Sequence, residues 1–198
     1  MQDKIKIVAA TGNKGKLKEI QEILSDFEIV SMKDLGISID IEENGETFKE
    51  NAYIKALAIS KITNLPVISD DSGLSVDALS GRPGIYTARF AGENATDDEN
   101  IEKLLFELKN VASDKRTARF VSVVCLVMPD GKAYYGEGAC AGIIIDEKRG
   151  ENGFGYDPVF YVPEFKRTFA ELSPDEKNSI SHRKKALDDL KEKIKDVF

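Results

Sequence analysis

Cysteine occurs twice and histidine once in these 198 residues. Cys125 and Cys140 each lie in an apolar stretch, and their number and spacing build neither a disulfide framework nor a zinc site. They read as reduced, buried thiols of a cytosolic protein. No apolar run approaches the length of about 20 residues that a membrane-spanning helix needs. The N-terminus begins directly with a strand pattern, not a signal peptide. A surplus of positive charge is missing too: 28 Lys and Arg against 35 Asp and Glu give −7, which counts against a general nucleic-acid binder but leaves room for a local basic pocket. There is no internal repeat, low-complexity tract or linker. What is present is 41% hydrophobic residues in a length that suits one domain over residues 1–198, with room for two lobes.

The pattern along the chain is mixed α/β. Ile5, Ile7 and Val8 mark a first strand over residues 4–10, broken by Thr11-Gly12-Asn13-Lys14-Gly15-Lys16. Leu17, Ile20, Ile23 and Leu24 then recur at helical spacing. Residues 28–31 suit a second strand and 38–46 an acidic loop. Thr47 with Glu50, Thr96 with Glu99 and the Ser173-Pro174 start open three further helices, the first two through capping-box spacing. Residues 80–95 read as a long loop. Residues 119–128 and 132–145 read as two strands joined by Pro129-Asp130-Gly131, a hairpin signal. A short strand is expected at 159–161 and a final helix carrying Leu187, Leu190, Ile194 and Val197.

Four groups carry possible chemistry. The loop from Thr11 to Lys16 joins a strand to a helix start, a geometry in which backbone N–H groups and the helix dipole favour phosphate. It is not a Walker A loop, since Leu17 stands where a magnesium-binding Ser or Thr belongs. An ordinary strand-to-helix turn with solvated lysines reads equally well. The second group is carboxylates: Glu42, Glu43 and Glu46 in one loop, Asp70 and Asp71 in another. Pro66-Val67-Ile68 reads as a buried strand, and Asp70-Asp71-Ser72-Gly73-Leu74 suits a turn ending it. Strand side chains alternate between faces, so a turn is required before both aspartates face one ion. Two such acids, with phosphate oxygens and water, would suit magnesium; a solvated acidic surface is the plainer alternative. The third is Gly153-Phe154-Gly155-Tyr156-Asp157-Pro158, where rings flanked by glycines offer stacking faces to a planar base or else cover the core. The fourth is Lys177 with Ser181-His182-Arg183-Lys184-Lys185, dense in positive charge. Its His and Arg donors suit carbonyl or phosphate oxygens; otherwise it is a solvated basic helix turn.

In their order and combination these groups resemble the inosine triphosphate pyrophosphatase family, the non-standard purine nucleoside triphosphate pyrophosphatases. The matching pieces are Thr11-Gly12-Asn13 with Lys16, Glu50-Asn51-Ala52 with Lys55, Asp70 to Leu74, Gly81 with Pro83-Gly84-Ile85-Tyr86, Ala88-Arg89-Phe90, Gly153 to Pro158, and Ser181-His182-Arg183. The resemblance implies an α/β fold with a long curved mixed β-sheet flanked by helices, forming two lobes with a central cleft. It implies a cytoplasmic, magnesium-dependent homodimer that hydrolyses ITP, dITP or XTP to the monophosphate and pyrophosphate, with no nucleic-acid or membrane partner. Carried onto this sequence, it implies substrate contacts from Thr11, Gly12, Asn13, Lys14, Gly15, Lys16, Lys55, Ser72, Phe154, Gly155, Tyr156, Asp157, Lys177, His182 and Arg183. Asp71 is the implied catalytic residue, with the metal held by carboxylates among Glu42, Glu43, Asp70 and Asp71. His182 and Arg183 would donate to the purine 6-oxo group and Phe154 would stack on the base. The neighbouring readings are a Maf-like pyrophosphatase acting on dTTP or UTP, and a nucleotide sensor without turnover.

Overall fold

The computed structural model of the chain describes residues 4–197. Strand β1 (Lys6–Ala9) leads into helix α1 (Lys14–Ile23), strand β2 (Glu28–Ser31), helix α2 (Phe48–Thr63) and strand β3 (Val67–Val76). A 3-10 helix over Gly84–Arg89 precedes helix α3 (Asp97–Leu108). Strands β4 (Thr117–Val127), β5 (Ala133–Ile144), β6 (Phe160–Val162) and β7 (Arg167–Thr168) follow, then helices α4 (Pro174–Ile180) and α5 (His182–Lys193). The seven strands form one open sheet in the order β2-β1-β3-β4-β5-β6-β7. It is mixed: β1 pairs in parallel with β2 and β3, and β6 is antiparallel to β5 and β7. The expected α/β class with a mixed, helix-flanked sheet therefore holds. None of the helices among the described residues is long and apolar enough to cross a membrane.

Local chemistry accounts for several boundaries. Thr47 and Glu50 form a reciprocal capping box at the start of α2, as Thr96 and Glu99 do for α3 and Ser173 and Glu176 for α4, where Pro174 occupies the first turn. Gly131 adopts φ +87° at the β4–β5 connection, where Lys132 N–H also donates to the Asp130 carboxylate.

The chain divides into two compact units. One contains residues up to Asp71, Ser122–Gly138 and the chain from Arg183 onward. Its central strands β1, β3 and β4 are buried on both faces. Ile7, Ala9, Ile68, Val124 and Leu126 pack with Ile20 and Leu24 of the α1 segment and Leu187 and Leu190 of α5. Val8, Ala10, Val67, Cys125 and Val127 pack with Ala52, Ala56 and Ile59 of α2. The period of two along each strand assigns alternate residues to these helix layers. Helix α5 lies so close that a Cβ on Gly136 would fall 2.0 Å from the Ala186 carbonyl oxygen, so only glycine fits there. The other unit, Ser72–Val121 and Ala139–His182, has its own core, in which Leu74, Val76, Ile101, Leu104, Phe120, Phe160 and Phe169 cluster.

One sequence expectation fails here. Strand β3 does not end before Asp70; it runs without a turn through Asp70-Asp71-Ser72-Gly73-Leu74 to Val76. The two carboxylates are therefore consecutive strand residues and point to opposite faces of the sheet.

Candidate active site

In the first unit β1 pairs in parallel with β2 on one side and β3 on the other, and the chain crosses from β2 through α2 to β3, so the carboxyl ends of β1 and β3 flank a topological switch point, where open α/β sheets bind ligands. The β1–β3 pairing stops at Ala9 and Ile68. Beyond it β3 continues while the chain after β1 turns into α1. The loop is held by its own side chains: Asn13 N–H donates to Thr11 Oγ1 at 3.1 Å, and Asn13 Oδ1 caps α1 by accepting from Lys16 N–H at 3.0 Å. The remaining first-turn amides have no intrahelical acceptor. Gly12, Asn13 and Lys14 are exposed and Gly15 is half-buried. A cavity of about 690 Å³ is lined by residues 11–14, 17, 31–33 and 36–39.

Asp70 shares the face of Ile68 and so meets α1 and α5. Its carboxylate accepts from Lys16 Nζ at 2.8 Å, Arg183 Nη2 at 3.1 Å and Ser122 Oγ at 2.5 Å. Arg183 also bonds Glu19 through Nη1. Lys16 and Arg183 against Asp70 and Glu19 make a network of zero net charge in which the Asp70 side chain is fully buried and that of Arg183 is 1% exposed. Burial pushes the Asp70 carboxyl upward, but Arg183 and then Lys16 outweigh it and hold it well below the usual carboxylate range. The Arg183 guanidinium, disfavoured by burial, is raised by Asp70 and Glu19.

Asp71 shares the face of Val67 and Ser69 and meets α2. Ser69 Oγ donates to the Ala52 carbonyl at 2.5 Å. Three residues on from Ala52, on the same helical stripe, Lys55 reaches Asp71 Oδ1 at 3.5 Å, Glu43 Oε2 at 3.0 Å and the Asp70 carbonyl at 3.1 Å. Burial raises the Asp71 carboxyl; Lys55 and Lys16 pull it down without cancelling that, and the net direction is up. For Lys55 burial is again the largest influence, but Asp71 and Glu43 reverse it and the ammonium is raised.

Of the four acids expected around a metal, the structure brings together two. Among the described residues no three His, Cys, Asp or Glu side chains could hold a metal. Glu43 and Asp71 converge on one ammonium; Glu42 is exposed beside them; Asp70 is engaged by Lys16, Arg183 and Ser122 on the opposite face. Asp71 Oδ2 is buried without a hydrogen-bond partner among the described residues. An orphaned carboxylate oxygen and a second acid nearby fit magnesium, which keeps several waters and takes one or two carboxylates plus phosphate oxygens.

The second unit holds the remaining expected residues. Gly153 has φ +82°, and a Cβ there would lie 2.0 Å from Asp157 Oδ2. The turn thus wraps the Asp157 carboxylate, which accepts from Phe154 N–H at 3.0 Å and Lys177 Nζ at 2.7 Å. Lys177 Nζ also lies 4.7 Å from the half-buried Phe154 ring. Gly155 N–H donates to Asp97 at 2.7 Å, and Ser72 is half-buried. His182 stacks on Phe120 at 4.9 Å, 16° from parallel. Tyr156 is 2% exposed and its hydroxyl donates to the Thr87 carbonyl. Arg183, of the first unit, has two of its nitrogens on Glu19 and Asp70.

Sequence reading missed Glu19 and Ser122. Glu19 follows Lys16 by three and precedes Ile20, a spacing that sets it beside the buried stripe of α1. Ser122 shares strand parity with Val124 and Leu126. Neither carries a motif of its own.

The sequence profile of the Ham1 family matches residues 7–193. The dITP/XTP pyrophosphatase of Haemophilus influenzae is 54% identical over 195 residues, covering 96% of this chain and all of the relative. That of Bacillus anthracis is 52% identical over 196 residues, covering 97% of each. Among solved structures, the Ham1 protein of Staphylococcus aureus superposes with a TM-score of 0.86 at 46% identity, covering 98% of this chain and 100% of that one. The HAM1 protein of Coxiella burnetii gives 0.86 at 45% identity, over 97% and 99%.

Proposed function

Since this chain belongs to the Ham1 family, we propose that it is a nucleoside triphosphate pyrophosphatase of the kind its relatives are named for. It hydrolyses dITP and XTP, and with them ITP, to the monophosphate and pyrophosphate, using magnesium. The observation that carries this reading is the parity of β3 at the switch point: Asp70 anchors Lys16 beside the phosphate-suited loop, while Asp71 and Glu43 converge on one cation from the other face.

Each residue has a task in this reading. The amides of the Thr11–Lys16 loop and the Lys16 ammonium bind the triphosphate. Asp70, Arg183, Glu19 and Ser122 hold Lys16 in position. Magnesium, held by Glu43 and Asp71, would offset charge on the phosphoryl oxygens and acidify a water. Asp71 would orient the attacking water and accept its proton. Base recognition falls to His182, whose ring N–H donates to the purine 6-oxo group, and to Phe154 as a stacking face. Adenine carries a donor at that position, so a site built for the oxo group leaves donors unpaired and rejects it. Asp157 and Lys177 fix the Phe154 turn. The family likeness also implies a homodimer, which light scattering tests.

The testing experiment compares kcat/KM for dITP, XTP, dATP and dTTP with magnesium present. The reading predicts a preference of at least about a hundredfold for dITP and XTP. Preferred turnover of dTTP would assign the site to a pyrimidine pyrophosphatase.

A further inference from the structure

Glu43 and Asp71 already hold a cation. Lys55 has three N–H donors, and three acceptors surround it: Glu43 Oε2 at 3.0 Å, the Asp70 carbonyl oxygen at 3.1 Å and Asp71 Oδ1 at 3.5 Å. Its side chain is 12% exposed, and helix α2 holds its backbone on the stripe that packs against β3. A dication binding the same two carboxylates would meet a unit positive charge already among them, and close like charges in a poorly solvated site repel strongly. A triphosphate presents oxygens that suit the same ammonium. Lysine, a flexible chain ending in a point charge, can exchange one set of acceptors for the other.

We propose that Lys55 is a placeholder for the divalent cation. In the nucleotide-free protein it occupies the Glu43–Asp71 pair and keeps metal affinity low. When a triphosphate binds, its oxygens take over the ammonium and the carboxylates are released to the metal. Metal and nucleotide then bind as one event, and the coupling is reciprocal: whatever the nucleotide does for metal affinity, the metal does for nucleotide affinity. This rests on the proposed function for its ligands, and it predicts a sign that an ordinary phosphate-binding lysine does not. Removing Lys55 weakens nucleotide binding yet tightens the bare metal.

Mn²⁺ binding to the nucleotide-free protein, read by electron paramagnetic resonance of free Mn²⁺, tests it on wild type, Lys55→Met and Lys55→Gln, with folding checked by circular dichroism. Both variants should bind Mn²⁺ at least about tenfold more tightly than wild type, within the usual range of coupling. Once Mn²⁺ held by free nucleotide is subtracted, adding α,β-methylene-ITP should tighten Mn²⁺ binding by a larger factor in wild type than in the variants. The gain should vanish in Glu43→Gln/Lys55→Met. Unchanged or weaker Mn²⁺ affinity in the folded variants overturns the proposal, as does a gain that survives Glu43→Gln, which would locate the metal elsewhere. Failure of both variants to fold would make Lys55 a folding residue and equally overturn it. Wild-type hydrolysis of dITP is scored separately, so the failure of the parent reading is distinguishable from the failure of this one.

Discussion

Replacing Asp70 by Asn exchanges one oxygen for an NH₂ where the side chain is wholly buried and faces two cations, Lys16 at 2.8 Å and Arg183 at 3.1 Å. The four-charge network then carries +1, with only Glu19 to offset it. Removing one partner of a buried ion pair costs about 3–5 kcal/mol. Asn keeps an acceptor oxygen, and Lys16, 16% exposed, can turn partly to water, so the lower end, about 3 kcal/mol, is expected. For a chain of this length each kcal/mol lowers Tm by about 2–4 °C, giving roughly 6–12 °C. The neighbouring Asp71→Asn should behave oppositely. Its folded carboxyl is raised, so ionisation is harder in the folded protein than in the unfolded chain and the charge detracts from stability at neutral pH. Asp71→Asn should cost less than about 1 kcal/mol, or stabilise. The pH dependence follows the sign of each shift. Asp70, depressed in the folded state, stabilises fully above the unfolded value of about 3.9 and loses that contribution as pH falls from there toward its folded pKa. The deficit of Asp70→Asn should therefore shrink below about pH 4. Urea denaturation at pH 7 and at low pH measures all of this. An Asp70→Asn protein within about 1 kcal/mol of wild type at pH 7, or an Asp71→Asn protein as damaged as Asp70→Asn, would refute the opposite-face account.

Lys16→Met removes the cation assigned to the triphosphate and should raise KM for dITP by about 10–100-fold, the worth of one charge-assisted hydrogen bond, with a smaller change in kcat; steady-state kinetics separates the two. Glu19→Gln should cost about 2 kcal/mol, less than Asp70→Asn because the Glu19 side chain is 12% exposed, and a thermal melt checks it. Gly136→Ala drives a methyl to 2.0 Å from the Ala186 carbonyl oxygen and should cost about 2–3 kcal/mol by forcing α5 off the sheet; urea denaturation reads the loss.

What the sequence disclosed was whatever is encoded within a few residues. The capping boxes at Thr47 and Thr96 are reciprocal bonds across three positions, and both mark the helix starts they suggested, as the Ser173-Pro174 start does for α4. Gly131 likewise marks its connection. The course of β3 through Asp70 is hidden in the sequence because the partners of the Asp70 carboxylate lie far along the chain: Ser122 is 52 residues away and Arg183 is 113. Two adjacent carboxylates look like a solvated turn until cations from α1, α2 and α5 are set around them. The same distance hid Glu19, whose partner Arg183 is 164 residues on. It also conceals that Arg183 ties Asp70 to Glu19. The Tyr156 ring looks available in the sequence because it lies between polar and glycine residues, whereas its hydroxyl finds the Thr87 carbonyl 69 residues earlier. Glu43 and Glu42 were indistinguishable until the reach of Lys55 selected Glu43.

In the proposed reaction the triphosphate is cut between its α and β phosphorus atoms with Asp71 acting on the water. Quantifying dIMP, pyrophosphate and orthophosphate released from dITP with magnesium, by wild type and by folded Asp71→Asn, tests it most directly. Wild type should release dIMP and pyrophosphate in equal amounts, and Asp71→Asn should turn over at a rate at least about a hundredfold lower with nucleotide binding retained. Release of orthophosphate with dIDP by wild type, or near-normal turnover by Asp71→Asn, would contradict it.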